Sequence, residues 1–284
     1  MLFRMMNSSF RHHRCFCASL VLMSLCSFLS LMTASASEAP PQRKPVLLYT
    51  RYFNAAGEQR YLPDGTFSDV LQRLRGEFEM RVNSEPLTAR SLRGVSLVLV
   101  ANPSDKAVGT NPPPHHFSKG DIQLLDRFVR GGGGLIVMGN QENHNLEIED
   151  TNKLLARFGI QFTNLYTDAK KLTLPGTVPV IGGLRWAYYT GNLLVLDPRH
   201  RAKPRGVVVN DLKQPPVKGT RDQAGVLLAT AESGKGRVMV ATDSGWVAND
   251  ALSEKGVGDV AIHGQDNWEI FRRLALWSAH AEER

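Results

Sequence analysis

The chain has almost no cysteine, and what it has lies near its beginning: Cys15, Cys17 and Cys26 are the only cysteines. All three fall in an apolar segment that has the features of a removable leader. A mature protein without thiols forms no disulfides and has no cysteine nucleophile. The remainder also lacks an apolar run long enough to span a bilayer, so we expect no transmembrane segment in the mature chain.

Residues 1–36 have the three parts of a secretory signal peptide. The start is basic and free of acids, an apolar run extends from Cys15 to Met32, and Ala34-Ser35-Ala36 offers small residues that signal peptidases accept. We predict cleavage after Ala36, a linker over residues 37–44, and an exported protein, periplasmic or extracellular. The alternative is membrane anchoring by an uncleaved leader, since the apolar run is just long enough to span a bilayer.

Charge gives little indication of a partner. The formal net charge is +7, and part of this excess belongs to the arginines of the leader. The small excess that remains is not typical of nucleic-acid binding, so we predict no nucleic-acid partner.

Residues 45–165 alternate apolar strands with amphipathic helices. Val95–Val100 and Leu135–Met138 are almost continuously apolar, as parallel strands covered on both faces are. The alternation predicts an α/β fold with a three-layer, doubly wound, mostly parallel sheet. Ser118 and Asp121 have the spacing of a capping box, which predicts a helix beginning at Ser118.

The composition changes over residues 166–224, where prolines and glycines separate short β-like runs. We predict a β-rich insertion here, with the α/β core resuming over residues 225–284. Val226–Thr230 and Arg237–Thr242 are the expected closing strands, and Asn267–His280 the C-terminal helix.

Two glycine-rich stretches invite comparison with phosphate loops. Gly131–Gly134 follows a helix and precedes a strand, which is the reverse of the order that points helix N–H groups at an anion. We therefore predict a helix end and a tight turn. Gly234-Lys235-Gly236 lies between two strand-like runs and predicts a hairpin. Thr151 is the expected cap of a third helix, and Gly159 its end.

The order of these pieces resembles a known superfamily. The phrases "LRGVSLVLVANP", "FSKGDIQLLDRFVRGGGGLIVMG" and "GKGRVMVATDSGWVAND" are similar to the class I glutamine-amidotransferase-like superfamily. More narrowly, they resemble its non-catalytic branch, found in bacterial exported proteins of unknown function and in auxiliary proteins of gliding-motility-type ABC transporters. The resemblance covers residues 45–165 and 225–280 and implies the fold. Enzymes of that superfamily carry a cysteine on the turn after a strand, whereas Gly139-Asn140-Gln141 stands here, so their activity is not implied.

Polar residues follow three predicted strands. Asn140, Gln141, Glu142 and His144 belong to a polar run after Leu135–Met138. In open α/β sheets, ligands bind in the crevice at the carboxyl ends of the strands. We therefore predict ligand binding here; the alternative is a solvated loop of amide residues.

Asp243, Ser244 and Trp246 follow the strand Arg237–Thr242. Asp243 is a candidate acid, base or hydrogen-bond anchor, and Trp246 a candidate apolar or sugar-stacking wall. The alternative is an Asx-type turn with Trp246 in the core. Asn102 is the third strand-end candidate, with a turn before Pro103 as its alternative.

We predict no metal and no cofactor. His115 and His116 are adjacent, so in an extended loop their side chains point in opposite directions and rarely share an ion. The basic stretch from Arg199 to Arg205 is expected to be a solvated loop; the alternative is contact with an anionic polymer or membrane surface.

The sequence predicts an exported, non-catalytic binding or scaffold protein. Its polar crevice would hold a small polar ligand or the loop of an envelope protein partner. The alternative is a glycan, acyl or amide hydrolase, with Glu142 or Asp243 as general acid–base and His144 assisting. A third possibility is a purely structural member of an envelope assembly.

Overall fold

Strands and helices form where the apolar runs and amphipathic stretches occur in the sequence. The computed structural model describes residues 43–140, 145–217, 219–253 and 265–282. The strands are β1 (Val46–Thr50), β2 (Glu79–Asn83), β3 (Leu97–Ala101), β4 (Gly134–Met138), β5 (Ile160–Phe162), β6 (Lys170–Thr173), β7 (Arg185–Tyr188), β8 (Leu194–Leu196), β9 (Arg205–Asn210), β10 (Gly225–Ser233) and β11 (Gly236–Ala241). The α-helices are α1 (Ser68–Leu74), α2 (Lys119–Arg130), α3 (Glu149–Leu155), α4 (Asn249–Leu252) and α5 (Asn267–Ser278).

One large sheet organises the fold. Its parallel part has the order β2-β1-β3-β4-β11. β10 joins β11 as an antiparallel hairpin, and β5, β8 and β9 extend the sheet through antiparallel pairs. β6 and β7 form a separate two-stranded sheet. The prediction of an α/β fold with a large, mostly parallel sheet is confirmed at this level.

The central strands are buried on both faces, because successive side chains of a strand point to opposite sides. Leu97 and Leu99 of β3 pack in one hydrophobic cluster with residues of α1 and α5. Val98 and Val100 of the same strand pack in a second cluster with residues of α2 and α3. Two apolar environments explain why β3 is a continuous apolar run in the sequence.

The capping and turn predictions around α2 are confirmed. Ser118 Oγ accepts a hydrogen bond from Asp121 N at 3.1 Å, and the Asp121 carboxylate accepts one from Ser118 N at 3.0 Å. Gly132, at φ +116°, reverses the chain after the helix. β4 begins at Gly134, where an added Cβ would lie 2.2 Å from the Ser278 carbonyl oxygen of α5. The glycine run is therefore a turn that also allows close helix packing.

The hairpin and the end of the third helix also follow the sequence. Gly234, at φ +62°, turns β10 into β11, and Gly159, at φ +73°, ends the 3-10 turn that follows α3. The prediction that Thr151 caps α3 is wrong. The helix begins at Glu149, and the Glu147 carboxylate accepts from Asp150 N, Thr151 N and Thr151 Oγ at 2.8, 2.9 and 2.9 Å. An acidic side chain just before the helix replaces the hydroxyl cap.

The segment 166–224 contributes β6 to β9, and two of these strands join the main sheet beside β10. Lys170, whose side chain is fully buried, pairs with Asp222 at 2.6 Å and holds the segment together. From Arg43 onward the chain is one compact unit. None of the helices within the described ranges has the length and apolar character needed to traverse a bilayer.

Candidate functional site

The carboxyl ends of β1, β3, β4 and β11 lie along one edge of the sheet, because these strands run parallel. Thr50, Asn102, Asn140 and Asp243 stand at or just after those ends, and each is at least 95% buried. The sheet thus brings together the three predicted strand-end positions Asn102, Asn140 and Asp243. Gln141, Glu142 and His144 lie outside the described residues, so their convergence with Asp243 stays a prediction.

Asn140 is fixed by a residue that the sequence did not single out. Its Nδ2 donates to the Tyr61 hydroxyl at 2.7 Å, and the Tyr61 carbonyl accepts from the Tyr49 hydroxyl. Tyr61 has φ +60°, and burial raises the pKa of its hydroxyl, with the negative charge of Asp243 adding to the effect. The proximity to Asp243 places Tyr61 in the strand-end site. Nothing in its turn-rich loop signals this role.

Asn102 has a strained backbone and an unsatisfied side chain. At φ +46° it occupies the left-handed region, while its N–H donates to Met138 O at 2.7 Å and extends the pairing of β3 with β4. Asn102 Oδ1 and Thr50 Oγ1 are two of the six buried side-chain atoms that have no hydrogen-bond partner among the described residues. Buried polar atoms are rarely left unpaired, and strained residues cluster at functional sites. Thr50 Oγ1 and Asn102 Oδ1 lie at the ends of the adjacent strands β1 and β3, and the residue with the strained backbone, Asn102, follows β3.

Asp243 is a buried carboxyl surrounded by backbone donors. Its Oδ1 accepts from Gly245 N at 2.6 Å and its Oδ2 from Tyr189 N at 3.3 Å. Burial raises the pKa of this carboxyl to about 7, although the backbone hydrogen bonds oppose the rise. The group is therefore divided between its neutral and charged forms near neutral pH, which is a common property of functional carboxyls.

Two predicted binding residues have structural roles instead. Ser244 is fully buried, and its Oγ donates to Gly139 O at 2.8 Å, which ties the ends of β11 and β4 together. Trp246 is fully buried in the core, with its ring edge-to-face against Trp186 at 5.2 Å and Phe271 at 5.6 Å. The idea of Trp246 as a wall for a sugar is wrong, because the 3-10 turn Gly245–Val247 directs the ring onto α5.

No reactive pair is present in the part of the chain that the structure describes. There, no serine or threonine hydroxyl bonds to a described histidine. His200 Nδ1 accepts from the Ala202 backbone, and His116 faces carboxylates. A nucleophile activated by a base requires such a contact.

His116, Glu147 and Asp150 each offer one possible metal-ligand atom, all within 4.8 Å of one another.

The predicted basic stretch lines a groove at the opposite end of β11 from Asp243. Arg201, Lys203 and Arg205 surround a cavity of about 440 Å³, whose walls include Leu274 and Trp277 of α5. The three side chains make no ion pair with any described residue. The groove lies beside the start of β11, away from the strand-end site.

Comparison with known proteins links the chain weakly to one group. A scan against protein families finds no match. The chain is 24% identical over 115 residues to an intraflagellar transport protein 52 homolog of Mus musculus, covering 40% of this chain and 25% of that protein. The Homo sapiens homolog is 23% identical over the same length and covers 40% and 24%. The chain thus matches about a quarter of the length of these curated relatives.

Solved structures share the fold. The N-terminal domain of an intraflagellar transport protein 52 superposes with a TM-score of 0.59 at 17% identity, covering 82% of this chain and 96% of that one. A cytoplasmic protein of Salmonella typhimurium superposes with a TM-score of 0.51 at 11% identity, covering 84% and 98%. At these identities the likeness concerns the fold alone.

These comparisons overturn the predicted location. The expectation of a periplasmic or extracellular protein is wrong, because the curated relatives are named for intraflagellar transport. A basic start, an apolar run and small residues are a pattern of composition, and it does not establish export. The predicted signal peptide over residues 1–36 lies outside the described residues.

Proposed function

We propose that this chain is a non-catalytic binding or scaffold module whose ligand site lies at the strand ends of β1, β3 and β4. The observation that carries the proposal is the pair of buried atoms Thr50 Oγ1 and Asn102 Oδ1, neither of which has a hydrogen-bond partner in the described part of the chain. A small polar ligand, or the loop of a protein partner, would supply the missing hydrogen bonds. Each unsatisfied buried group costs about 1–3 kcal/mol, which a ligand would recover.

The surroundings favour binding over reaction. Asn54 Nδ2 donates to Ala101 O at 2.7 Å and to Asn102 O at 3.2 Å, which fixes the backbone at the end of β3. Asn140 is held by Tyr61, and Asp243 by backbone N–H groups. Pre-formed polar groups on a rigid sheet suit recognition.

The hydrolase alternative is favoured by one observation, the pKa of about 7 that burial gives Asp243. Both carboxylate oxygens of Asp243 already accept from backbone N–H groups, those of Gly245 and Tyr189, whereas Thr50 Oγ1 and Asn102 Oδ1 have no partner among the described residues. The alternative would need Glu142 and His144 to complete the site.

We further propose that the architecture is the three-layer, doubly wound form of the glutamine-amidotransferase-like superfamily, in its non-catalytic branch. The parallel strand order and the two apolar clusters support this. The absence of cysteine beyond Cys26 supports the non-catalytic assignment.

The test is a ligand screen run beside an activity screen. Thermal unfolding with sugars, nucleotides and short peptides should yield a ligand that raises Tm in the wild type and not in Asn102→Gly. Glycine accepts φ +46° and keeps the Asn102 N–H bond while removing the amide. Nitrophenyl glycosides, esters and amides should show no turnover. Hydrolysis that Asp243→Asn abolishes would refute the non-catalytic proposal.

The basic groove supports a second candidate function, binding of an acidic protein segment. Arg201, Lys203 and Arg205 provide cations, and Leu274 and Trp277 an apolar wall. We propose a labelled peptide of alternating glutamate and leucine as the probe. Charge reversal by Arg201→Glu with Arg205→Glu should weaken binding at least tenfold. Lys171→Glu, an exposed lysine outside the groove, should not; equal weakening would contradict this function.

A further inference from the structure

The imidazole of His116 lies between two carboxylates. Its Nε2 is 3.3 Å from Asp105 Oδ1, and its Nδ1 is 3.5 Å from Asp150 Oδ2. A neutral imidazole donates from only one nitrogen, so the other would direct a lone pair at a carboxylate oxygen. That contact is favourable only when a cation lies between the two atoms, whether a proton or a metal ion.

We propose that His116, Asp150 and Glu147 form a binding site for a divalent transition metal of the zinc type. Histidine nitrogen and carboxylate oxygen are ligands that zinc accepts. Two ligands about 2.0–2.1 Å from a tetrahedral ion lie roughly 3.4 Å apart. The His116 Nδ1 to Asp150 Oδ2 distance of 3.5 Å fits that edge.

Asp105 is the carboxylate beside the other ring nitrogen of His116. A metal-bound histidine donates its other ring N–H to a carboxylate, which fixes the tautomer and orients the ring. The Nε2–H of a metal-bound His116 would donate to Asp105 Oδ1, now 3.3 Å away, after a small rotation of the ring. Nδ1 would then be the ligand nitrogen.

Glu147 provides the buried wall of the site. It is 4% exposed, and its Oε2 already accepts from both Thr151 N and Thr151 Oγ. Within the described ranges its Oε1 accepts one hydrogen bond, from Asp150 N, so a lone pair remains for the metal. The three ligand atoms are within 4.8 Å of one another, so the exposed His116 side chain must move slightly to close the site. Water would complete the coordination.

One neighbouring charge opposes metal binding. Lys153 Nζ is 2.7 Å from Asp150 Oδ1, the oxygen that does not face His116. Its ammonium is exposed on the helix surface, where solvent screens it. Asp150 Oδ2 therefore remains available to bind the metal, although the nearby Lys153 lowers the affinity of the site for it.

The site would join the two segments that border the strand-end site. Asp105 N donates to Asn145 O at 2.8 Å, Glu147 N to Pro103 O at 2.9 Å, and Ser104 pairs with Leu146. A metal held by His116 and α3 would strengthen this connection. Zinc should therefore slow amide hydrogen exchange at Asp105 and Glu147.

The test is zinc titration of the chain after treatment with chelator, by calorimetry and by thermal unfolding. The wild type should bind one zinc ion with a rise in Tm. His116→Ala and Asp150→Asn should each lower the affinity at least tenfold. His115→Ala is the matched control, because His115 stacks on Tyr52 at 4.1 Å and is not among the three residues of the cluster; it should bind as the wild type does.

Cobalt provides a spectroscopic check that does not depend on stability. Visible absorption of Co²⁺ should appear in the wild type and in His115→Ala, and should be lost in His116→Ala. Zinc binding that survives in both His116→Ala and Asp150→Asn, no saturable binding in the wild type, or equal loss in His115→Ala would overturn the proposal.

Discussion

Asn140 and Tyr61 are 79 positions apart, yet Asn140 Nδ2 donates to the Tyr61 hydroxyl at 2.7 Å in the interior. The bond connects the end of β4 to the loop that follows β1. It shows how the strand-end site is built, since polar side chains from separate crossovers hold one another in place. The same edge contains Thr50 Oγ1 and Asn102 Oδ1, which have no hydrogen-bond partner in the ranges that the structure describes.

Replacing Thr50 by valine should stabilise the protein. Its Oγ1 is buried without a partner among the described residues, so an isosteric methyl group removes a desolvation cost. We expect the free energy of unfolding to rise by about 1 kcal/mol, measured by denaturant unfolding.

Thr242→Val is the matched control for Thr50→Val. The Thr242 hydroxyl bonds to Leu227 O at 3.0 Å and to the Tyr188 hydroxyl at 3.0 Å, so its loss should destabilise the fold by about 1–3 kcal/mol. A destabilised Thr50→Val would mean that its hydroxyl is satisfied.

Stability should depend on pH through Asp243. Its pKa is about 7 in the folded protein against 3.8 for the ordinary group, so between these values the folded state binds more protons than the unfolded state. The stabilisation is complete below about pH 4 and is lost as pH rises towards 7. Asp243→Asn should remove this part of the slope, measured by urea unfolding from pH 5 to 8.

Above pH 5 the carboxylates that form ion pairs do not titrate, so they do not contribute to the slope that is assigned to Asp243. The carboxyl of Glu269 has its pKa lowered to about 2 by Arg272, and that of Asp266 is lowered by the Arg185 backbone, so both stay charged there. Identical slopes in the wild type and Asp243→Asn would contradict a raised pKa for Asp243.

Glu147→Ala should destabilise α3. The mutation removes the acceptor for Asp150 N, Thr151 N and the Thr151 hydroxyl, and we expect a loss of about 1–2 kcal/mol in unfolding free energy. Glu149→Ala is the control, because Glu149 is exposed and its pair with Lys153 contributes at most about 0.5 kcal/mol. Equal effects of the two mutations would contradict the capping role.

Lys170→Ala should be far more destabilising than Lys171→Ala. Lys170 is fully buried and pairs with Asp222 at 2.6 Å, and Asp222 also accepts from Thr167 and Asn210. Leaving that carboxylate without its cation costs about 3–5 kcal/mol. Lys171 is exposed and should change stability by less than about 0.5 kcal/mol. Similar losses at both positions would show that the ion pair does not stabilise the segment.

The sequence was most informative where local rules decide the structure. The Ser118 cap, the Gly132 turn and the apolar β3 depend on neighbours within a few residues, and each prediction is confirmed. The cap of α3 was assigned to Thr151 because a hydroxyl is the usual signal, whereas a carboxylate at Glu147 performs the same task.

The site was only partly predictable, because its geometry depends on contacts distant in sequence. Parallel strands correctly brought Asn102, Asn140 and Asp243 to one edge. The sequence could not show whether Trp246 lines the ligand site or lies in the core, because its burial depends on Trp186 and Phe271 in remote elements. Tyr61 and Asn54 enter through a loop without periodicity.

A ligand site at the strand ends is tested most directly by comparing ligand-induced changes in Tm between the wild type and Asn102→Gly. We expect a sugar, nucleotide or peptide to raise the Tm of the wild type at saturating concentration, with the rise lost in Asn102→Gly. A rise that persists undiminished in Asn102→Gly, or a screen in which no compound shifts the wild type, would contradict a ligand site at the ends of β1, β3 and β4.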